Sequence, residues 1–140
     1  MSANVRSFHL PAQSLTWTAT GWQTVNLSAL IGKSGWLTGL KLRADATNDG
    51  GGACILDAYI VRSAAAPAAV PAAEDVAVQL TDISPGGGHA TDAFLSEHFA
   101  GGMPYHVDGT GTTMWLAVNC TEFGSGTLAV EAALYGFRDD

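Results

Sequence analysis

The sequence predicts an all-β domain: an antiparallel β-sandwich of jelly-roll type with about eight strands. Three observations point there. Short runs of β-branched, aromatic and aliphatic residues alternate with clusters of Gly, Asn, Asp and Pro. No segment reads as a convincing long helix. No internal repeat is visible, which disfavours a propeller or a solenoid. About eight strands in 140 residues fit a sandwich or barrel.

The elements follow in chain order. Residues 6–10 read as a first strand, closed by Pro11, and residues 15–18 as a second, ending before a turn at Gly21. Residues 22–27 alternate, with Trp22, Thr24 and Asn26 on one face. Residues 36–43 form the next strand, with Leu40 and Leu42 pointing one way. The glycines of Asn48-Asp49-Gly50-Gly51-Gly52 make a loop, because they reach positive φ without penalty. Residues 54–62 carry the strongest strand signal. There Ile55, Asp57, Tyr59 and Val61 share one face, and Cys54, Leu56, Ala58 and Ile60 the other. Residues 63–73 are rich in Ala, but Pro67 and Pro71 break a helix, so an extended surface connection is expected. Residues 76–83 are a strand. Residues 91–99 stay open between a short helix, suggested by i,i+4 pairs such as Phe94/His98, and a strand. Residues 101–111 read as turn-rich. Residues 113–120 and 127–137 are expected to form a hairpin across Gly124-Ser125-Gly126, with Leu128, Val130, Ala132 and Leu134 on one face of the last strand and Glu131, Ala133 and Tyr135 on the other.

The length fits one domain, residues 1–140, which buries roughly 70% of its unfolded surface and needs no disulfide or metal to fold. Residues 1–7 read as a flexible arm suited to docking. Net charge is −7, and the six basic residues, Arg6, Lys33, Lys41, Arg43, Arg62 and Arg138, are scattered. Nucleic-acid binding needs clustered positive charge, so that partner is disfavoured. Charged residues make up 14% of the chain, against about 25% in an ordinary soluble protein. A lone domain this small normally covers itself with Lys and Glu; cover by sister subunits explains the shortage, so a homo-oligomer is expected. No apolar run approaches the ~20 residues of a membrane span, so no membrane is expected as a partner. The N-terminal residues lack the apolar core of a signal peptide, and synthesis in the cytoplasm is the expectation.

Motifs for chemistry are weak. His9, His89, His98 and His106 have no metal-ligand spacing, and Gly124-Ser125-Gly126 lacks the frame of a nucleophile turn. Asp57 and Glu131 both fall in strands, but nothing pairs them for glycoside cleavage; Asp57, inside an apolar run, reads as a hydrogen-bonded structural carboxylate. The run from Asp45 to Gly50 resembles the start of a calcium loop, yet Leu56 stands where a bidentate Glu is needed, so an Asn/Asp/Gly turn is expected. Cys54 and Cys120 read as buried free thiols without a metal. No enzyme, cofactor or metal is expected. Of the four tryptophans, Trp115 reads as core or interface. Trp22 and Trp36, each beside a Gly, are the better candidates for exposure and for stacking on a sugar, with Asp45, Asn48 or Asp49 as polar contacts.

Two resemblances follow from the residues. Gly21-Trp22-Gln-Thr-Val25-Asn-Leu27, Gly35-Trp36-Leu-Thr-Gly-Leu40-Lys-Leu42-Arg43 and Ile55-Leu56-Asp57-Ala-Tyr59-Ile60-Val61 resemble galactose-binding-like jelly rolls, which include carbohydrate-binding modules and discoidin-like domains. This covers residues 15–62. The C-terminal pair of strands is similar in style to small β-rich virion proteins of tailed bacteriophages. That resemblance implies a decoration, cement or fibre subunit, commonly a trimer, located on the virion and in contact with partners such as the major capsid protein. Phe8, Leu10, Tyr135 and Phe137 are the expected assembly contacts. The other resemblance implies a carbohydrate-binding module, and a virion jelly roll that binds surface glycan merges the two.

Overall fold

The computed structural model describes residues 5–9, 13–28, 34–84, 93–106 and 113–139, with side chains described for these except at 5–9, 46, 93–102 and 139. Among the described residues, nine strands form two antiparallel sheets: β1 (Val5–His9), β2 (Gln13–Trp17), β3 (Gly21–Asn26), β4 (Ser34–Asp49), β5 (Ile55–Ser63), β6 (Val76–Ile83), β7 (Ala93–His106), β8 (Thr113–Glu122) and β9 (Leu128–Asp139). The first sheet runs β1-β9-β4-β7, with β2 also on β9; the second runs β3-β8-β5-β6. Because β1 and β2 pair with successive stretches of the same side of β9, they act as two pieces of one edge strand. Eight strands so counted give the jelly-roll order. Apart from β5–β6, every later connection, from β2–β3 to β8–β9, passes from one sheet to the other.

The alternation read from the sequence sets the core. Leu128, Val130, Ala132 and Leu134 of β9 meet Leu56, Ala58 and Ile60 of β5 and Met114, Leu116, Val118 and Cys120 of β8 in one buried cluster, with Leu37, Leu40 and Leu42 from β4. The opposite residues of each strand face outward, as period-two strands require.

Several expectations need correction. Residues 91–99, left open, fall from Ala93 onward in β7, and residues 101–106, expected as turns, continue that strand. Pairing with β4 on both sides of Gly101-Gly102 carries the strand across them, and the register slips there, between Met103 and His98 opposite Leu37/Gly39. The expected hairpin of the last two strands does not form. β8 lies between β3 and β5, whereas β9 lies among β1, β2 and β4. The Gly124–Gly126 turn therefore carries the chain across the sandwich. Of the expected N-terminal arm, Val5–Ser7 are paired with β9; residues 1–4 and Leu10 lie outside the described residues.

Candidate functional site

The outer face of the first sheet carries an exposed aromatic row. Trp36 on β4 stands opposite Phe137 on β9 and opposite Pro104 on β7. Trp36 is 37% exposed and Phe137 45%, and Pro104 is exposed as well. Strand alternation forces this: Leu37 and Leu134 turn inward and are fully buried, so their neighbours turn out. Tyr135, two residues before Phe137, extends the patch along β9 and is half-buried. Farther along the same face, Arg43 and Glu131 are opposite in register and form an ion pair at 2.7 Å. The face thus changes from aromatic at one end to charged in the middle.

The far end of β4 is built from turn chemistry. The Asp45 carboxylate accepts from the Thr47 amide and hydroxyl, both at 2.7 Å, and from the Asn48 amide at 3.3 Å. The Thr47 bonds, side chain first, hold the Asp45 carboxyl below the usual carboxylate range. Asp49 accepts from the Gly51 amide at 3.1 Å and caps the 3-10 turn at Gly50–Gly52. Trp36 lies nine residues up the strand, roughly 30 Å away.

Trp22 belongs to the opposite side of the sandwich. It stands on the outer face of the second sheet, in register with Asn119 of β8, which is in register with Asp57 of β5. Its ring meets Tyr59 at a centroid distance of 5.8 Å and a tilt of 35°. Around them lies a small apolar cluster outside the main core: Tyr59, Val61 and Ala117 are buried, and Trp115 is half-buried, its indole donating to the Ser63 carbonyl at 3.2 Å. Burial, then the Asp57 charge, pushes the Tyr59 hydroxyl above the ordinary tyrosine range. The Asp57 carboxylate accepts from the amide of Asp82 at 3.0 Å, which sits at φ 57°; Asp57 thus holds an unusual backbone turn. The Ala/Pro connection lies beside this face, where Pro67, Ala68, Ala69 and Pro71 border a cleft of about 200 Å³ with Val61 and Asp75.

The structure therefore separates the residues that the sequence nominates together. Trp22 and Trp36 lie on opposite outer faces. Asp45, Asn48 and Asp49 share the sheet of Trp36 but sit at its other end. Tyr135 and Phe137 join Trp36, while the backbone of Phe8 pairs with Gly136. Three residues of these faces were not among the sequence's site candidates: Pro104, Tyr59 and Asn119. Alternation with Trp115 and Ala117 marks Asn119 as outward, and alternation with Asp57 marks Tyr59. Only register within the second sheet, among β3, β8 and β5, shows that they meet Trp22. Among the described residues, no cluster of three or more His, Cys, Asp or Glu could hold a metal, and no helix is long and apolar enough to cross a membrane.

No family model and no curated protein matches the chain. Solved structures do. The chain is similar to the insecticidal δ-endotoxin Cry8Ea1 from Bacillus thuringiensis (8% identity, 90% of this chain and 20% of that one, TM-score 0.44). It is also similar to a chain of the cyanophage Pam1 capsid (16% identity, 96% and 85%, TM-score 0.47). A third match is the family 11 carbohydrate-binding module from Clostridium thermocellum, solved with a β-1,3-1,4-mixed-linked tetrasaccharide (14% identity, 94% and 88%, TM-score 0.42). The chain spans about a fifth of the endotoxin.

Proposed function

We propose that this chain is a non-enzymatic virion structural protein, a capsid decoration, cement or fibre subunit that assembles as a homo-oligomer, a trimer by preference, on a bacteriophage-like particle. The observation that carries the reading is the exposed row Pro104–Trp36–Phe137 on the outer face of the first sheet. Trp36 and Phe137, 37% and 45% exposed, each leave on the order of 100 Å² to bury in a contact. At roughly 25 cal/mol per Å², two of them per subunit contribute several kcal/mol against the entropic cost of association. The occupant proposed for this face is a second copy of the chain, with the shell protein of the particle as the further partner. The acidic net charge of −7 keeps the subunit off nucleic acid.

A second reading has its own observation: Trp22, Asn119 and Asp57 stand side by side on the other sheet, an aromatic ring flanked by an amide and a carboxylate. That combination suits a sugar, whose apolar face stacks while its hydroxyls hydrogen-bond.

Native mass by size-exclusion chromatography with light scattering, at micromolar concentration, separates the two. The wild type is expected as a trimer or larger ring, and Trp36→Ser with Phe137→Ser as a folded monomer. A monomeric wild type sinks the assembly reading. Loss of glycan binding in Trp22→Ala, measured on a glycan array, then supports the carbohydrate-binding reading.

A further inference from the structure

Cys54 and Cys120 are 66 residues apart in the chain, yet the fold brings them to neighbouring places in one buried core cluster. Both are 1% exposed and belong to the main core cluster. Pairing explains the approach. Leu56 stands opposite Cys120, and Cys54 turns inward two residues earlier, just outside β5. The ladder slips between Ile55 and Leu56, where Ile55 faces Glu122. Each thiol also reaches a carbonyl at its own turn: Cys54 Sγ donates to Gly50 at 3.5 Å and Cys120 Sγ to Glu122 at 3.1 Å. The two turns are themselves joined, since Gly50 donates to the Thr127 carbonyl at 2.9 Å and Ser125 to the Gly50 carbonyl at 2.8 Å. Gly50 has no side chain, and a Cβ there would overlap Cys54 Sγ. The thiols are thus two nucleophilic groups packed together at one end of the sandwich.

We propose that Cys54 and Cys120 are a latent disulfide site, which a low-molecular-weight disulfide such as oxidised glutathione converts to an intramolecular cross-link when the protein meets oxidising surroundings. One cysteine thiolate attacks a sulfur of the glutathione disulfide and releases a first glutathione thiolate. The second cysteine thiolate then attacks the protein sulfur of the mixed disulfide and releases the other. One S–S bond is lost and one is formed. Two electrons pass from the protein to glutathione, and the two cysteine protons end on the released glutathiones.

The folded environment makes the site slow rather than absent. Burial, with Cys54 beside it, pushes the Cys120 thiol up to about 11, and the reactive species is the thiolate. Reaction therefore awaits local opening of the turns at 50–54 and 123–127. Once formed, the bond ties the first turn to β8 and closes a long loop, which restricts the unfolded chain.

The test uses the full folded chain with oxidised glutathione, at neutral and mildly alkaline pH, with and without sub-denaturing urea. The expected product is a monomeric polypeptide lighter by two hydrogens, with a Cys54–Cys120 linked peptide in a non-reducing digest. Its Tm is expected to rise by about 10 °C and to fall back on reduction. Both the alkaline pH and the urea are expected to speed the reaction. Cys54→Ala and Cys120→Ala are expected to show no such rise. A wild type that stays a dithiol even in sub-denaturing urea overturns the proposal, as does one that ends as a glutathione adduct or an intermolecular dimer. Neither result bears on the assembly reading, which rests on the exposed outer face of the first sheet.

Discussion

At the residue scale, Gly50 and Gly126 separate two reasons for a glycine. Both have left-handed backbone, at φ +67° and +72°. A Cβ at Gly126 meets open space, whereas one at Gly50 overlaps Cys54 Sγ and comes within 3.2 Å of the Leu128 Cβ. Gly126→Ala is expected to cost about 1 kcal/mol, from backbone strain alone. Gly50→Ala is expected to cost about 2–4 kcal/mol, because overpacking adds to the strain. Urea midpoints of the two variants measure the difference; equal midpoints would show that the Cys54 pocket gives way freely. Tyr59 offers a pH test. Its folded-state pKa is raised above the ordinary 10.0, by burial first and the Asp57 charge second. Its contribution is therefore complete below pH 10.0 and is lost as pH rises through the folded value. The wild type is expected to lose more stability than Tyr59→Phe between neutral pH and about pH 11. Identical losses, read from urea midpoints, would remove Tyr59 as the cause.

At the element scale, the two faces of β9 are expected to respond very differently to substitution. Glu131 pairs with Arg43 on the outer face, and both side chains are more than a third exposed. Water and salt screen such a pair, so Glu131→Gln is expected to cost under about 1 kcal/mol. Leu134, three residues on, is 1% exposed, and Leu134→Ala is expected to cost about 2–5 kcal/mol through lost burial and the cavity left behind. Denaturant unfolding at low and high salt checks both, with only the Glu131 effect expected to shrink in salt. The elements also show where local signals stop. β6 was legible at its observed bounds, Val76–Ile83, because Pro and Gly clusters flank a short β-branched run. β7 was not, because Gly101-Gly102 and Pro104 are turn residues by local chemistry. Pairing of 93–98 and 103–106 with the 16-residue strand β4 holds Pro104 in the ladder and carries the strand across Gly101-Gly102, where the register slips.

At the scale of the whole molecule, the jelly roll turns one-dimensional alternation into two outer faces with different chemistry. The first presents Trp36 and Phe137 beside an ion pair. The second presents Trp22 with Asn119 and Asp57, flanked by the Ala/Pro connection. The native-mass prediction belongs here, since assembly is a property of a face and not of a residue. The proposed association through the aromatic row is hydrophobic, so such an oligomer is expected to persist at high salt, where contacts between exposed charges weaken. Dissociation by salt would instead assign assembly to charged groups.

By itself the sequence determined the fold class, most strand positions and which side chains of each strand face inward, because period-two alternation and turn chemistry are local. It also marked Trp22, Trp36, Tyr135 and Phe137 as outward residues. Which strands are neighbours is decided only when both sheets close on one core. That closure sent β8 and β9 to different sheets, set Trp36 beside Phe137 and Trp22 beside Asn119, and brought Cys54 to Cys120. The physical reason is that backbone hydrogen bonds are alike from strand to strand. Pairing is therefore selected by packing the whole set of apolar faces together, and no single segment carries that information.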